Sequence, residues 1–305
     1  MIAVVGAGSW GTALTIHLAR TGAPIRLWAR EPEIVDGIRT HRRNPVYMPD
    51  FDLPLGVEAT GDIAAAVDGA EVIVMVVPSE FFAATLASVP VRRDTIIVSA
   101  TKGFDPMRHA RMSELVRERF PQARVAALSG PTFAREVALG SPTAAVIAAA
   151  DDALTSMLQA RLGARAFRLY ANRDIVGVEA GGALKNVVAL ATGLSDGLGL
   201  GENARAALVT RGLAEMTRLA VALGGEPTTL AGLAGMGDLV LTATGTLSRN
   251  RSLGMALARR HDVSLPICAE VAAVLFDGKP AADALASLLG RAPTREDAPV
   301  EGRRA

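Results

Sequence analysis

The chain has 305 residues, enough for about two domains, each with its own core. Its 32 basic and 31 acidic residues leave a net charge of +1, too small to draw in nucleic acid or an anionic membrane, so any anion site must be local. The single cysteine, Cys268, excludes an internal disulfide and suits a reducing cytosol.

Hydrophobic residues make up 50% of the chain and aromatics only 4%, so small apolar side chains do most of the packing. His17, His41, His109 and His261 have no partner at metal-ligand spacing, which argues against a zinc site. No apolar run is expected to span a bilayer. Met1 leads directly into the first strand, leaving no room for a signal peptide, so a cytoplasmic protein is expected.

Ile2-Ala3-Val4-Val5 reads as a buried strand, followed at once by Gly6-Ala7-Gly8-Ser9-Trp10-Gly11 and a helix over 12–19. Gly6 permits the tight turn, Gly8 lets a diphosphate approach the backbone, and Gly11 lets helix and strand pack closely. The helix N-terminus adds unpaired N–H groups and a positive dipole end. This spacing also occurs in ordinary turns, but the strand–turn–helix setting favours dinucleotide binding.

A second strand over 24–28 precedes a helix over 31–39 and a polar, Pro-containing loop over 41–52. The run 71–77, apolar after Glu71 and ended by Pro78, predicts a strand buried on both faces, with Ser79 capping the helix that follows. Strands over 95–99, 124–128 and 143–149 alternate with helices over 109–119 and 151–161. That alternation predicts α/β architecture with a Rossmann-type, parallel, doubly wound sheet. After Phe167-Arg168-Leu169-Tyr170 the strand signals stop. The expected domains are 1–172, dinucleotide-binding, and 173–305, helical and substrate-binding, with a frayed tail over 293–305.

Ligands of doubly wound sheets lie beyond the carboxyl ends of the strands. That rule selects Thr101-Lys102-Gly103 and Ser129-Gly130-Pro131-Thr132-Phe133. The Lys102 ammonium could reach a phosphate or a polarised carbonyl, or simply be solvated. Arg30 follows the second strand, where NAD-binding chains usually carry an acid, and could pair with the 2′-phosphate of NADP or serve as a surface charge.

The stretch Gly177 to Asn186 places glycines inside a helix, each costing about 1 kcal/mol against alanine. Gly181 and Gly182 precede Lys185 by one turn and predict a smooth patch, large enough for a substrate, beneath its ammonium. Desolvation and a second ammonium such as Lys102 would lower its proton affinity toward neutral-pH acid–base work; a snorkelling lysine is the alternative, and the two costly glycines favour catalysis. Asp238 could orient a hydroxyl or hold Lys185. Ser248, Arg249, Asn250 and Arg251 form either an anion-binding cluster or a helix cap.

Taken together, these segments resemble the bacterial-type NAD(P)-dependent sn-glycerol-3-phosphate dehydrogenases. The likeness rests on the glycine turn, Thr101-Lys102-Gly103, Ser129 to Ala134, Gly177 to Asn186, Asn203 to Leu208, Gly232 to Leu241 and Ser248-Arg249-Asn250-Arg251. It covers nearly the whole chain in order. The resemblance implies interconversion of glycerol 3-phosphate and dihydroxyacetone phosphate, supplying phospholipid synthesis, with NADP, or NAD, as cofactor.

The resemblance also assigns roles. Lys185 would exchange the proton of the C2 hydroxyl, and Lys102 would touch substrate and nicotinamide. Gly130, Thr132, Asn186, Asp238, Thr242, Ser248, Arg249 and Asn250 would line the substrate site. Gly6, Gly8, Ser9, Trp10, Gly11, Arg30, Ala134 and Arg249 would contact the cofactor.

One departure stands out. Arg259-Arg260-His261-Asp262-Val263-Ser264 runs almost directly into Leu265-Pro266-Ile267, so a family segment carrying a Glu-Gly pair is missing near 258–264. A neighbouring subunit filling that gap would make the chain a homodimer. An inert NADPH-binding protein, or a reductase for another hydroxy acid, are the competing readings.

Overall fold

Continuous apolar runs form the central strands. β1 (Ile2–Val5), β6 (Val72–Met75) and β7 (Ile96–Ser99) are buried at every residue, which demands cover on both faces. The computed structural model describes residues 1–197, 200–243 and 266–290, in two units, Met1–Ile175 and Val176–Ala305. The predicted tail over 293–305 and the stretch around 258–264 lie outside the described residues.

In the first unit α1 (Ser9–Ala19) follows β1, and β2 (Ile25–Trp28) and α2 (Pro32–His41) come next. Then follow β3 (Arg43–Asn44), β4 (Met48–Asp52), β5 (Val57–Thr60) and α3 (Ile63–Val67). Beyond β6, α4 (Ser79–Ala87) leads to β7, and α5 (Met112–Arg119) to β8 (Arg124–Ser129). The unit closes with α6 (Ala134–Leu139), β9 (Thr143–Ala148), α7 (Asp152–Leu162) and β10 (Phe167–Asn172). Eight strands form one sheet in the order β10-β9-β8-β7-β6-β1-β2-β5. The order reverses at β1, so the glycine turn at its carboxyl end sits at the topological switch point.

Several expectations need correction. The sheet is not wholly parallel, because β9 runs antiparallel to β8. Six helical residues in α6 rise only about 9 Å, too little to carry the chain back along a strand of about 20 Å. The predicted loop over 41–52 contains the antiparallel pair β3–β4. Strand β5 and helix α3 were not expected at all. Pro78, not Ser79, is the N-cap of α4, and no side chain caps that end.

Strand β5 lies at one edge of the sheet, and arginines fill its outward carbonyls. Gly56 and Thr60 carbonyls accept from β2, so the carbonyls of Val57 and Ala59 face outward, as a parallel ladder alternates. Arg42 Nη1 donates to the first at 3.0 Å and Arg39 Nε to the second at 2.9 Å. Edge groups filled in this way cannot recruit another strand.

All the described elements of the second unit are helical. They include α8 (Ile175–Gly197), α9 (Gly201–Ala222), α10 (Pro227–Ala231), a π-helical turn (Leu233–Gly237) and α11 (Asp238–Ala243). The helices Pro266–Phe276 and Ala281–Leu289 complete the described part. The Ile175–Gly193 stretch, with mean hydropathy 1.3, does reach membrane-spanning length, contrary to expectation. However, 83% of its apolar window is buried inside the protein, and it carries Glu179 and Lys185, as a core helix can. A Cβ on Gly181 would lie 2.4 Å from the Ala234 carbonyl oxygen, so glycine is what allows α8 to meet the π turn. Glu215, buried in α9, accepts the Ile267 N–H at 2.8 Å and so anchors the start of Pro266–Phe276.

Two predictions follow from these contacts. His17 donates Nε2–H to the Leu162 carbonyl at 2.8 Å and packs on the Phe167 ring; burial holds its pKa below the ordinary 6.5. The unfolded chain therefore takes up a proton that the folded one refuses. Stability should fall as pH drops from above 6.5 until it passes the lowered folded-state value, then level off. In a pH series of thermal melts, His17→Gln should lose part of this slope; an equal slope in both proteins contradicts it. Gly181→Ala should cost about 1–3 kcal/mol in denaturant titration through overpacking, and an unchanged midpoint would show that the contact is loose.

Candidate active site

In the first unit, the three turn glycines are required for different reasons. Gly6 has φ +116°, and a Cβ there would lie 2.8 Å from the Val76 carbonyl oxygen. On Gly11 it would lie 1.9 Å from the Gly6 carbonyl oxygen. On Gly8 it would meet nothing within 4 Å. Internal packing therefore explains the first and last glycines but not the middle one. Its open side is the cradle a diphosphate needs, so the turn fits a dinucleotide.

Around the turn, Ser9 is exposed and its hydroxyl donates to the Tyr47 carbonyl at 3.4 Å. Trp10 Nε1 donates to the Ala100 carbonyl at 3.2 Å, tying α1 to the end of β7. Arg30 is exposed, with Nη2 2.9 Å from Glu31 Oε1 and its guanidinium 5.7 Å from the Phe81 ring centre. Thus the predicted 2′-phosphate ligand already has a carboxylate neighbour. Ala134 opens α6, half-buried.

Lys102 is not a loose loop lysine. Its Nζ donates to the Gly130 carbonyl at 2.8 Å and to Thr132 Oγ1 at 3.2 Å. Gly130 has φ +136°, a conformation reserved for glycine, and a Cβ there would lie 3.0 Å from the Ala145 Cα. The loops after β7 and β8 are thereby joined through one ammonium, as the strand-end rule predicts. Thr101, in the same segment selected from sequence, adds a 2.8 Å hydrogen bond to the Val77 carbonyl.

In the second unit Lys185 is buried in the middle of α8 and forms an ion pair with Asp238, which is wholly buried at the start of α11. Two lone buried charges would each cost several kcal/mol, so this pairing accounts for both residues. Burial disfavours an ammonium while a contacting carboxylate favours it, so the desolvation argument from sequence covers only half of this environment. The smooth patch predicted at Gly181 is not open either, because the π turn covers that glycine. Asn186 follows, half-buried, and the Thr242 hydroxyl donates to the Asp238 carbonyl at 2.6 Å. Ser248, Arg249 and Asn250 lie outside the described residues.

Sequence reading missed Asn44, which is fully buried beside the glycine turn. Its amide donates to the Ala7 carbonyl at 2.7 Å and to Thr12 Oγ1 at 2.8 Å. Nothing local to an Asn-Pro step in a polar stretch announces such long-range bonds.

Known proteins resemble this chain over most of its length. Residues 1–155 match the NAD-dependent glycerol-3-phosphate dehydrogenase N-terminus, and 174–263 match the C-terminus of that family. Residues 234–300 match the bacterial NAD-dependent C-terminal region. A Geobacter sp. (strain M21) protein named glycerol-3-phosphate dehydrogenase, NAD(P)+, is 45% identical over 324 positions, covering 95% of this chain and 97% of the relative. A Rhodospirillum rubrum protein of the same name is 45% identical over 323, covering 95% and 92%. Both alignments have more positions than the 305 residues of this chain, so the chain lacks residues that its relatives have. The crystal structure of glycerol-3-phosphate dehydrogenase from Coxiella burnetii superposes with a TM-score of 0.89 at 37% identity, covering 95% of this chain and 98% of that one. On this evidence the chain belongs to the NAD-dependent glycerol-3-phosphate dehydrogenase family.

Proposed function

We propose that the protein interconverts sn-glycerol 3-phosphate and dihydroxyacetone phosphate with NADP or NAD, supplying glycerol 3-phosphate for phospholipid synthesis. The observation that carries this reading is a buried amine, Lys185, held by the buried carboxylate of Asp238. Residues 1–172 supply most of the cofactor contacts and 173–305 most of the substrate contacts. The cytoplasm is the proposed location and a homodimer the proposed assembly, with no nucleic-acid or membrane partner.

The nicotinamide, when bound, supplies or accepts the hydride at C2. The chain's own residues handle the oxygen and its proton. In the direction of reduction, Lys185 donates a proton to the C2 oxygen as its carbonyl bond is lost, and is reprotonated from solvent; the reverse reaction takes the proton back. Asp238 keeps the Lys185 side chain in place. Lys102 offsets the charge that grows on the alkoxide, and its bonds to Gly130 and Thr132 keep it oriented for this. Gly130, Thr132, Asn186, Thr242, Ser248, Arg249 and Asn250 bind the triose phosphate.

Gly6, Gly8 and Gly11 shape the phosphate cradle, with Ser9, Trp10, Ala134 and Arg249 completing the cofactor contacts. Arg30 pairs with the 2′-phosphate, exchanging its contact with Glu31 for a dianion.

Purified protein should oxidise NADPH when dihydroxyacetone phosphate is added. Lys185→Ala should lower kcat by about 10²–10⁴-fold while NADPH affinity, measured by calorimetry, stays within a few-fold. A variant as fast as the parent refutes the acid–base assignment. Binding without turnover in the parent would instead fit a protein disabled by the residues it lacks. Arg30→Ala should raise the KM for NADPH about tenfold and leave that for NADH unchanged; equal changes for both cofactors would remove Arg30 from the 2′-phosphate.

A further inference from the structure

On the strength of the dinucleotide site put forward above, we propose that Asn44 is a positioning residue that aims the Gly8 N–H at the cofactor diphosphate. Asn44 sits in β3 with no exposed surface. Its Nδ2 donates to the Ala7 carbonyl at 2.7 Å and to Thr12 Oγ1 at 2.8 Å, and Thr12 Oγ1 donates to the same Ala7 carbonyl at 3.2 Å. A closed triangle of hydrogen bonds thus grips one carbonyl of the glycine turn. On its other side, Asn44 Oδ1 accepts the N–H groups of Val46 at 3.2 Å and Tyr47 at 3.0 Å. Ala7 can only accept, and the two N–H groups can only donate, so the orientation of the amide is determined.

Geometry of the peptide unit carries this further. The chain has no cis peptide bond, and across a planar trans unit the carbonyl and the next N–H point in opposite directions. Asn44 and Thr12 are both wholly buried. Pinning the Ala7 oxygen inward toward them turns the Gly8 N–H the opposite way, and a Cβ on Gly8 would meet nothing within 4 Å, so there is room for a ligand beside this residue. Without the grip the Ala7–Gly8 unit could rotate, presenting an oxygen to an anion in place of a donor. The same amide fixes the backbone at Tyr47, whose carbonyl accepts from the Ser9 hydroxyl. Asn44 touches neither substrate nor cofactor in this scheme and acts only through the turn.

The test compares wild type, Asn44→Asp and Thr12→Val by calorimetry with NADPH, steady-state kinetics and thermal melts. Asn44→Asp keeps the shape but removes both donors; Thr12→Val breaks the triangle without adding charge. Asn44→Asp should weaken NADPH binding about tenfold and Thr12→Val several-fold. At saturating NADPH, kcat and the KM for dihydroxyacetone phosphate should stay within twofold of wild type. A merely structural role would lower the melting point and kcat together without this split, and would overturn the proposal. So would an unchanged NADPH affinity in Thr12→Val, which also decides the matter if Asn44→Asp does not fold. Wild-type protein that binds no dinucleotide would defeat the proposed function itself. Wild-type binding with unaffected variants defeats only the role of Asn44.

Discussion

A charged amine buried within an apolar helix sets the terms for the second unit. Lys185 cannot stay in α8 without a partner, because removing one member of a buried pair typically costs about 3–5 kcal/mol. Asp238 supplies the partner, and it can do so only if the π turn before it lies close to α8. Gly181 makes that possible: the π-turn backbone at Ala234 occupies the space a side chain there would need. Lys185 is four residues, about one turn, further along the same face of the helix. Asp238 is likewise four residues beyond Ala234. Two contacts in step along one seam, glycine against backbone and amine against carboxylate, bring the ion pair together.

The first unit solves a different problem with similar means. A sheet buried on both faces offers polar backbone groups only at strand ends and edges; the β5 edge is filled by arginines, and this chain puts its chemistry at the strand ends. The glycine turn follows β1, Lys102 follows β7, and Gly130 and Thr132 follow β8. Each is held by a hydrogen bond reaching across strands: Trp10 to Ala100, Thr101 to Val77, Lys102 to Gly130. Such cross-ties restrict the side chains before any ligand arrives, so less ordering entropy is lost on binding.

Sequence reading was informative where the signal is local. The strand–turn–helix around Gly6, Gly8 and Gly11 was legible because each glycine answers a short-range steric demand, and β6 because six consecutive apolar residues, Val72 to Val77, admit few other uses. Lys185 stood out through the cost of its helical glycines, but the open patch expected at Gly181 is filled by π-turn backbone. Direction and pairing were not legible. Nothing in Thr143–Ala148 states that β9 runs against β8; the clue lay in how little helix separates them. Strand β5 alternates buried and exposed residues over only four positions, too few to stand out, and β3 pairs through polar residues. Asn44 was invisible for the same reason, since its partners Ala7 and Thr12 lie more than thirty residues away. The grouping of Lys102 with Gly130 and Thr132 was foreseen from topology, whereas its hydrogen bonds were not.

The direct test of the central claim is a crystal structure of the protein with NADPH and dihydroxyacetone phosphate, or an unreactive analogue, bound together. The Lys185 ammonium should lie within hydrogen-bonding distance of the ligand's C2 oxygen while Asp238 still contacts it. A complex in which the Lys185–Asp238 pair remains sealed from the ligand, with another group on the C2 oxygen, would contradict it.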